Sequence, residues 1–319
     1  MQAPETSTAI EVAPGVRRLT FRLPLGIDHV HAYFLRAAAG GWTLVDTGLG
    51  LRDPEAGWGP ALEALGGPLE QILVTHLHPD HIGGAADVAA LTGAPVLQGR
   101  IDREQSRRVW GEGGGFERSS RFMHEHGMPQ SEAEAMQSES KGLRSLVRLP
   151  AQARVVEPGE HVDGWEVVHL PGHADGHLTL FRDGTMIAGD AILNGISPQV
   201  GLYPGGRPDP LEDFMRSLDR VIERAPRVAF AGHRDPIEHP AARARELILH
   251  HRDRLDLTVR ALGNEPRDAY TLSLTLFPEP LGPGQRRFAL AETIAHLEHL
   301  VARDRVLKVE DGAGPQYRR

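Results

Sequence analysis

The chain has 319 residues, which exceeds the usual size of one domain, so we expect a main domain with an appended unit. It contains no cysteine, and this excludes disulfides and metal sites built on thiolates. The formal net charge of −8 argues against a general affinity for nucleic acid, because phosphate binding needs an excess of lysine and arginine.

The N-terminal stretch predicts strands and no targeting signal. Residues 1–8 lack the basic start and the apolar run of a secretion signal, and no later apolar run is long enough for a membrane span. We therefore expect a cytoplasmic protein without membrane contact. Loose alternation over residues 11–22, a turn over 23–26, and the apolar runs 31–35 and 42–45 predict a meander of strands.

A dense group of ligand-type side chains follows the apolar run at residues 72–74. Four of them lie within six positions: His76, His78, Asp80 and His81. Imidazole nitrogen and carboxylate oxygen are ligands that zinc, iron and manganese share, so the segment predicts a metal site. Alternate residues of a strand face the same side, and Pro79 then allows a turn or helix, so one segment can supply two neighbouring metal positions. The alternative is an accidental histidine cluster on a solvated loop.

Three later apolar runs also end at glycine and a ligand-type residue. They cover residues 167–173, 186–190 and 228–233, and they end at His173, Asp190 and His233. Glycine lets the backbone approach closely or take a positive φ, so that the side chain after it can point inward. Four strand ends that converge on one edge of the fold would supply seven ligands.

As a set and in this order, these motifs resemble those of the metallo-β-lactamase-fold hydrolases. That family has an HxHxDH segment, a later histidine, a bridging aspartate and a final histidine. The segment Asp46-Thr47-Gly48 also resembles the family's Asp-Thr-Gly segment. The resemblance runs from about residue 46 to residue 233. It implies an α/β fold, a four-layer αβ/βα sandwich, with metals between the two sheets.

The resemblance further implies a role for each matched residue. It assigns three ligands to each of two metals and one ligand between them: His76, His78 and His173, then Asp80, His81 and His233, with Asp190 as the bridge. Asp46 would orient a ligand histidine from outside the ligand set. His177 follows His173 by four residues, and we interpret it as a hydrogen-bonding partner near the site. The expected cofactors are two divalent ions, zinc first, with iron or manganese as alternatives.

Residues from about 100 to 149 differ in character from the rest of the chain. A glycine-rich break at 111–115 and a glutamate-rich stretch at 131–140 predict an inserted, mobile, mainly helical segment. We expect this insert to border the metal cleft, with Phe122 and Met123 among the apolar residues that cover a substrate. The alternative is a solvated surface hairpin.

The remaining third of the chain is predicted to be mainly helical. Asp209 and Pro210 are typical of a helix start, and their helix would carry one apolar face. Beyond Pro240, three helical segments precede a strand over residues 305–309. This layout resembles a winged-helix module found on some family members, and the alternative is a plain packing module. We therefore divide the chain into a catalytic domain, 1–240, and a C-terminal module, 241–319.

The predicted site supports hydrolysis. Two divalent ions about 3.5–4 Å apart can hold a bridging hydroxide, because bound water has its pKa lowered toward ~7. We therefore predict a dinuclear metal-dependent hydrolase of a small ester, thioester or lactone. Asp80 could also relay a proton to the leaving group. Tyr203 lies roughly where lactonase-like family members carry a tyrosine that assists the substrate oxygen.

Three alternatives stay open. A glyoxalase-II-like thioesterase is one, although no basic cluster in the C-terminal part clearly matches that subgroup's glutathione site. An iron-dependent sulfur dioxygenase shares HxHxDH but uses one iron held by two histidines and an aspartate. An endoribonuclease-type phosphodiesterase would use the winged helix on nucleic acid. A small molecule is the expected partner, and a second copy of the chain, forming a homodimer, is the other candidate.

Overall fold

The computed structural model describes residues 8–23, 26–38, 40–111, 114–311 and 314–319. The predicted turn at 23–26 and the predicted glycine break at 111–115 fall partly outside these ranges, on Pro24, Leu25, Glu112 and Gly113.

The first sheet begins with the predicted meander. Within the described residues its order is β1 (Ile10–Ala13), β2 (Val16–Arg22), β3 (His29–Arg36), β4 (Trp42–Val45), β5 (Leu69–Val74), β6 (Val96–Gly99) and β7 (Arg154–Val156). The pairs from β1 to β4 are antiparallel, and the pairs from β4 to β7 are parallel. Parallel neighbours need crossovers. Helices α1 (Pro54–Glu63) and α3 (Ala85–Thr92) lie in two of them, and the insert forms the third.

The second sheet holds the other three ligand-bearing strands. Its order in the described residues is β12 (Val228–Ala231), β11 (Thr185–Gly189), β10 (Leu178–Arg182), β9 (Trp165–His169) and β8 (His161–Val162). Strands β11 and β12 pair in parallel and are connected through helix α7 (Pro210–Arg224). Because β9, β11 and β12 belong to one sheet, the residues that follow their ends can meet at one edge.

Three apolar clusters define the layers. Leu73 of the first sheet packs with Trp165 and Phe230 of the second, so the two sheets face each other. Trp58 of α1 covers the outer face of the first sheet, and Phe214 of α7 covers the outer face of the second. The order is helix, sheet, sheet, helix, and the predicted mixed α/β sandwich is confirmed.

The insert is helical, as predicted, and it is anchored by apolar residues. It contains α4 (Arg100–Trp110), α5 (Gly115–Glu125) and α6 (Gln130–Arg144). Four buried side chains of this region join the core that contains the C-terminal helices: Met123, Met128, Ala133 and Met136. Met123 is 0% exposed. A side chain without free surface cannot cover a substrate, so the prediction for Met123 is not met. Phe122 is half-buried against the same cluster.

The C-terminal part is helical, as predicted. It contains α8 (Pro240–Leu262), α9 (Ala269–Leu276) and α10 (Pro283–Val301), followed by a hairpin of β13 (Leu307–Asp311) and β14 (Gly314–Arg318). Helix α10 begins five residues before the predicted start at 288, because Pro283 suits a first turn and the Gln285 side chain accepts a hydrogen bond from the Gly282 N–H. The winged-helix comparison and the boundary at 240 stay predictions. Among the described residues, no helix is long and apolar enough to cross a membrane.

Asp209 connects α7 to α10. Its Oδ1 accepts a hydrogen bond from the Glu212 N–H at 2.9 Å, which caps α7. His299 Nδ1, in the last turn of α10, and Arg303 Nη1, just after the helix, each lie 3.0 Å from the same carboxylate. Burial acts to raise the pKa of Asp209, but the hydrogen bonds from His299 and the Glu212 N–H lower it to about 2. The carboxylate is therefore ionised at neutral pH.

We predict that Asp209→Ala lowers the thermal unfolding midpoint at pH 7 by about 2–4 °C, since loss of a cap costs about 1 kcal/mol. Asp209→Asn should lose less, because asparagine caps nearly as well as aspartate. A depressed pKa in the fold means that the ionic contribution is present above the usual carboxyl range and is lost as the pH falls toward about 2. Calorimetry of the three proteins checks this, and equal midpoints at pH 7 would contradict it.

Candidate metal centre

The seven residues predicted as ligands come together at one edge of the two facing sheets. β5 leads to His76 and His78, the short helix α2 (Pro79–Ile82) carries Asp80 and His81, and the second sheet supplies the others. Their ligand atoms form three overlapping groups, within each of which all atoms lie within 4.8 Å: His76, His78 and His173; His76, His81 and Asp190; Asp80, His81 and His233. The first and third groups match the two predicted ligand triads. The middle group places Asp190 beside one histidine from each triad, His76 and His81.

A glycine makes the close approach of the strand ends possible. A Cβ added at Gly232 would collide with Asp190 Oδ1 and would lie 2.6 Å from His81 Cε1. Real Cβ atoms do not show contacts this short, so both ligands would have to move. The glycine before His233 is thus required by packing against the other ligands.

Oxygen atoms outside the ligand set fix the protons of three histidines. Nδ1 of His81 lies 2.8 Å from Asp46 Oδ2, Nδ1 of His173 lies 2.8 Å from the Gln199 carbonyl, and Nδ1 of His233 lies 2.6 Å from the His29 carbonyl. Carbonyl and carboxylate oxygens accept, so each Nδ1 donates its N–H. In the neutral ring, Nε2 then carries the lone pair and faces the centre, as a metal ligand must.

Three of the atoms that face the centre make no hydrogen bond within the described residues. Nε2 of His81, Nε2 of His173 and Oδ1 of Asp190 are buried, and within the described part of the chain they make no hydrogen bond. Buried polar atoms without partners are costly unless something else satisfies them. Lone pairs of nitrogen and carboxylate oxygen are satisfied by divalent cations, so the residues present fit the implied metal ions.

His76 and His78 bring two ring nitrogens close together at the centre. His76 Nε2 and His78 Nδ1 lie 3.1 Å apart. Burial, and then the neighbouring histidines, lower the pKa of His76 well below its ordinary value, and burial lowers that of His78 to about 3. Both rings are neutral at physiological pH. The Nδ1 of His76 lies 3.0 Å from Thr75 Oγ1 and can donate its proton there, so that the lone pair of its Nε2 faces the centre.

The Asp46 carboxylate orients ligands of both predicted metal positions. It accepts hydrogen bonds from the Thr75 N–H at 2.7 Å, from Thr75 Oγ1 at 2.7 Å and from His81 Nδ1 at 2.8 Å. Thr75 Oγ1 in turn accepts from His76. Asp46 therefore holds His81 directly and His76 through Thr75. No sequence pattern pointed to Thr75, although its place just before the HxHxDH segment and its ability both to donate and to accept were available signals.

The carboxylates of the centre attract positive charge. Burial alone would lower the pKa of His233, but Asp190 and Asp80 raise it to about 10. Burial likewise would raise the pKa of Asp80, but His81 and His233 lower it to about 2. A field that favours a proton on a buried imidazole also favours a divalent cation at the same place.

His177 lies behind the ligands. Its Nε2 accepts a hydrogen bond from the Asp190 N–H at 3.0 Å, and its ring stacks on that of His76 with centroids 4.7 Å apart. It belongs to none of the three groups of ligand atoms among the described residues. His177 thus supports the backbone of Asp190, in the hydrogen-bonding place that was expected of it.

His29 and His31 hold the peptide of Arg234, the residue after His233. His29 Nε2 accepts a hydrogen bond from the Arg234 N–H at 2.9 Å, and His31 Nε2 donates to the Arg234 carbonyl at 3.0 Å. Arg234 has φ of 67°, in the left-handed region where a residue other than glycine needs support. The two histidines of β3 therefore stabilise the loop that presents His233.

The loop that orients His173 packs on α10. The N–H of Leu202 donates to the Ala291 carbonyl at 3.1 Å, and Gln199 Nε2 lies 3.5 Å from the Phe288 carbonyl. Tyr203 is half-buried beside this loop, and burial raises the pKa of its hydroxyl. The hydroxyl therefore keeps its proton at neutral pH and could act only as a hydrogen-bonding group. Its contact with a substrate stays a prediction, as does that of Phe122.

Comparisons with known proteins agree with this arrangement. The model of the Metallo-beta-lactamase superfamily matches residues 25–233, and that of the Metallo-beta-lactamase-like, C-terminal domain matches residues 255–318. A metallo-beta-lactamase family protein from Thermus thermophilus has a similar structure, with a TM-score of 0.83 and 38% identity over 97% of this chain and 100% of that chain.

Two curated relatives are enzymes by name. The Bacillus subtilis (strain 168) protein "Probable metallo-hydrolase YqjP" is 26% identical over 307 residues, 91% of this chain and 93% of that protein. A hydroxyacylglutathione hydrolase from Acidiphilium cryptum (strain JF-5) is 30% identical over 139 residues, 42% of this chain and 40% of that protein.

We predict that Gly232→Ala lowers the metal content of the purified protein by at least about half, because the new Cβ displaces Asp190 and His81. The matched control is Gly59→Ala, inside α1, where an added Cβ meets no heavy atom within 4 Å. Elemental analysis, with circular dichroism to verify folding, checks the pair. A folded Gly232→Ala protein with wild-type metal content would show that the approach at Gly232 does not matter.

Proposed function

Because the chain belongs to the metallo-beta-lactamase superfamily of metal-dependent hydrolases, we propose that it uses two divalent metal ions to hydrolyse a small ester, thioester or lactone. The observation that carries this proposal is the set of overlapping ligand groups, two of which match the two triads expected for two metals. Asp190 lies between them, with Oδ1 3.5 Å from His81 Nε2 and Oδ2 3.7 Å from His173 Nε2.

We assign one ion to His76, His78 and His173 and the other to Asp80, His81 and His233, with Asp190 shared. Zinc is the first candidate for both, and iron and manganese accept the same ligand types. When bound, such ions make a water molecule acidic enough to yield hydroxide near neutral pH and polarise the oxygen of the bond to be cleaved.

Asp80 contributes both a ligand position and negative charge to this centre. Asp80 is ionised, and its Oδ2 lies 3.4 Å from His233 Nε2, so the carboxylate is held on the ligand side of the second triad. A carboxyl group with a pKa of about 2 is a weak base. Asp80 therefore serves first as a ligand, and it can relay a proton to the leaving group only transiently.

Thioesters are the first substrate class to test. The match to a hydroxyacylglutathione hydrolase supports this choice, although it spans 42% of this chain. A thioester carbonyl is also more easily attacked than that of an amide, so it suits a site whose nucleophile is hydroxide. Esters and lactones present the same carbonyl chemistry and stay in the proposal.

Two observations weigh against the alternative functions. A one-iron dioxygenase needs only two histidines and an aspartate, whereas here a second ligand triad is complete and buried or half-buried. The net charge of −8 disfavours the extended phosphate contacts of a nuclease. We therefore propose a small-molecule substrate and no strong binding of nucleic acid.

We predict that Asp190→Asn reduces kcat by about 100-fold or more, because a neutral amide cannot hold two cations as a carboxylate does. The fold should persist, since His177 still accepts from the backbone N–H of residue 190. The matched control is Asp183→Asn, an exposed turn residue between β10 and β11 whose φ of 50° asparagine also tolerates.

Hydrolysis of chromogenic thioesters, lactones, esters and a phosphodiester by the metal-loaded proteins measures the effect. Full activity in a folded Asp190→Asn protein would refute the role of Asp190. One iron per chain together with oxygen consumption on a persulfide would replace the proposal by the dioxygenase.

A further inference from the structure

Helix α4 holds both polar groups of the Leu77 backbone, which lies between the predicted ligands His76 and His78. Asp102 Oδ2 accepts a hydrogen bond from the Leu77 N–H at 2.8 Å. Trp110, two turns further along α4, donates from Nε1 to the Leu77 carbonyl at 2.7 Å. The peptide groups on either side of Leu77 are thus fixed by side chains of a helix that supplies none of the seven predicted ligands.

The same carboxylate also contacts the loop that carries His173. Asp102 Oδ1 accepts a hydrogen bond from the Gly176 N–H at 2.7 Å, three residues after His173. A Cβ added at Gly176 would lie 2.5 Å from that oxygen, so only glycine lets this loop come so close. One side chain therefore joins the loop of His76 and His78 to the loop of His173.

The burial of Asp102 weakens the case for a purely stabilising role. The side chain is 0% exposed, and the described residues give it no cationic partner. Burial, opposed only by the two backbone hydrogen bonds, raises the pKa of this carboxyl to about 7. Burying a carboxylate without a cation is costly even when it is hydrogen-bonded. Its geometry, with one oxygen for each loop, suits it to positioning.

We propose that Asp102, assisted by Trp110, is a positioning residue for the first metal position, which it serves by setting the separation of the two loops that carry His76, His78 and His173. This inference rests on the two-metal assignment made above. If the separation changes, three nitrogens on two loops no longer reach one ion. The second triad of Asp80, His81 and His233 has no contact with Asp102 in the described residues and keeps its geometry.

The test is Asp102→Asn, which keeps the shape of the side chain. An amide offers one oxygen, and its NH2 group would face the second backbone N–H, so one of the two hydrogen bonds is lost. We expect the dissociation constant of the first metal to rise by about 10- to 100-fold while that of the second is unchanged. Gly176→Ala should act in the same way from the other loop, and Trp110→Phe should have a smaller effect.

Metal titration by calorimetry gives the two affinities, and cadmium NMR shows which position is lost. The His78→Ala variant, which removes a ligand of the first position, marks the signal that belongs to it. The matched control is Ser106→Ala on the same helix. Ser106 is 1% exposed and its Oγ donates to the Asp102 carbonyl at 2.6 Å, so its loss disturbs the interior of α4 but leaves the carboxylate contacts intact. It should bind both metals as wild type does.

The outcomes separate this inference from the proposed function. A wild-type protein that does not bind two metals defeats the two-metal assignment itself. If wild type binds two, unchanged affinities in Asp102→Asn overturn the inference, and so does an equal loss at both positions, which would indicate general destabilisation. If Asp102→Asn fails to fold, Gly176→Ala and Trp110→Phe decide by the same criterion.

Discussion

The metal centre depends on the atoms that hold the proton of a ligand histidine on the side away from the metals, as they do for His76, His81, His173 and His233. A buried neutral imidazole can bind a cation only through the nitrogen without hydrogen, and a neighbouring acceptor decides which nitrogen that is. His81 is fixed by the Asp46 carboxylate, His173 by the Gln199 carbonyl and His233 by the His29 carbonyl. Each acceptor comes from a different part of the chain, so the assembled fold is needed to prepare the ligands.

The loops that carry the ligands are held in the same manner. The Arg234 N–H and carbonyl are hydrogen-bonded to His29 and His31 of β3. The Leu77 N–H and carbonyl are hydrogen-bonded to two side chains of α4. Further hydrogen bonds join the sheets beside the centre, such as that from the Tyr33 hydroxyl to the Ala231 carbonyl at 2.6 Å. Pre-positioning of this kind lets a metal bind without reorganising the loops, and it explains why ligands from two sheets can serve one centre.

The ligands could be predicted from the sequence because their signals are local. Histidine and aspartate directly after apolar runs and glycines stand out without any knowledge of the fold, and the structure brings all seven together. Their supports could not be predicted in this way. The carbonyls of Gln199 and His29 belong to the backbone, so no side-chain type marks them. Asp102 lies on a polar helix, and its sequence context does not distinguish it from a solvent-exposed aspartate; only its contacts with Leu77 and Gly176 in the fold do.

The anchoring of the insert could not be predicted from its sequence either. The sequence of its helices is mainly polar, and α6 has few apolar residues. Met123 and Met136 are nevertheless buried, because α10, from the far end of the chain, packs against them. Helices α5 and α6, in a segment expected to be mobile, are anchored in a shared core, while α4 borders the loop that carries His76 and His78. Periodic patterns in a single sequence report local structure and do not report contacts between distant segments.

Anomalous diffraction at the zinc, iron and manganese edges, from crystals of protein prepared without chelator, can show whether the seven residues hold two ions. We predict two peaks about 3.5–4 Å apart. One should lie among the nitrogens of the triad His76, His78 and His173, the other should lie among the ligand atoms of Asp80, His81 and His233, and Asp190 should contact both. A single peak, or metal bound by other residues while these seven remain free, would contradict this prediction.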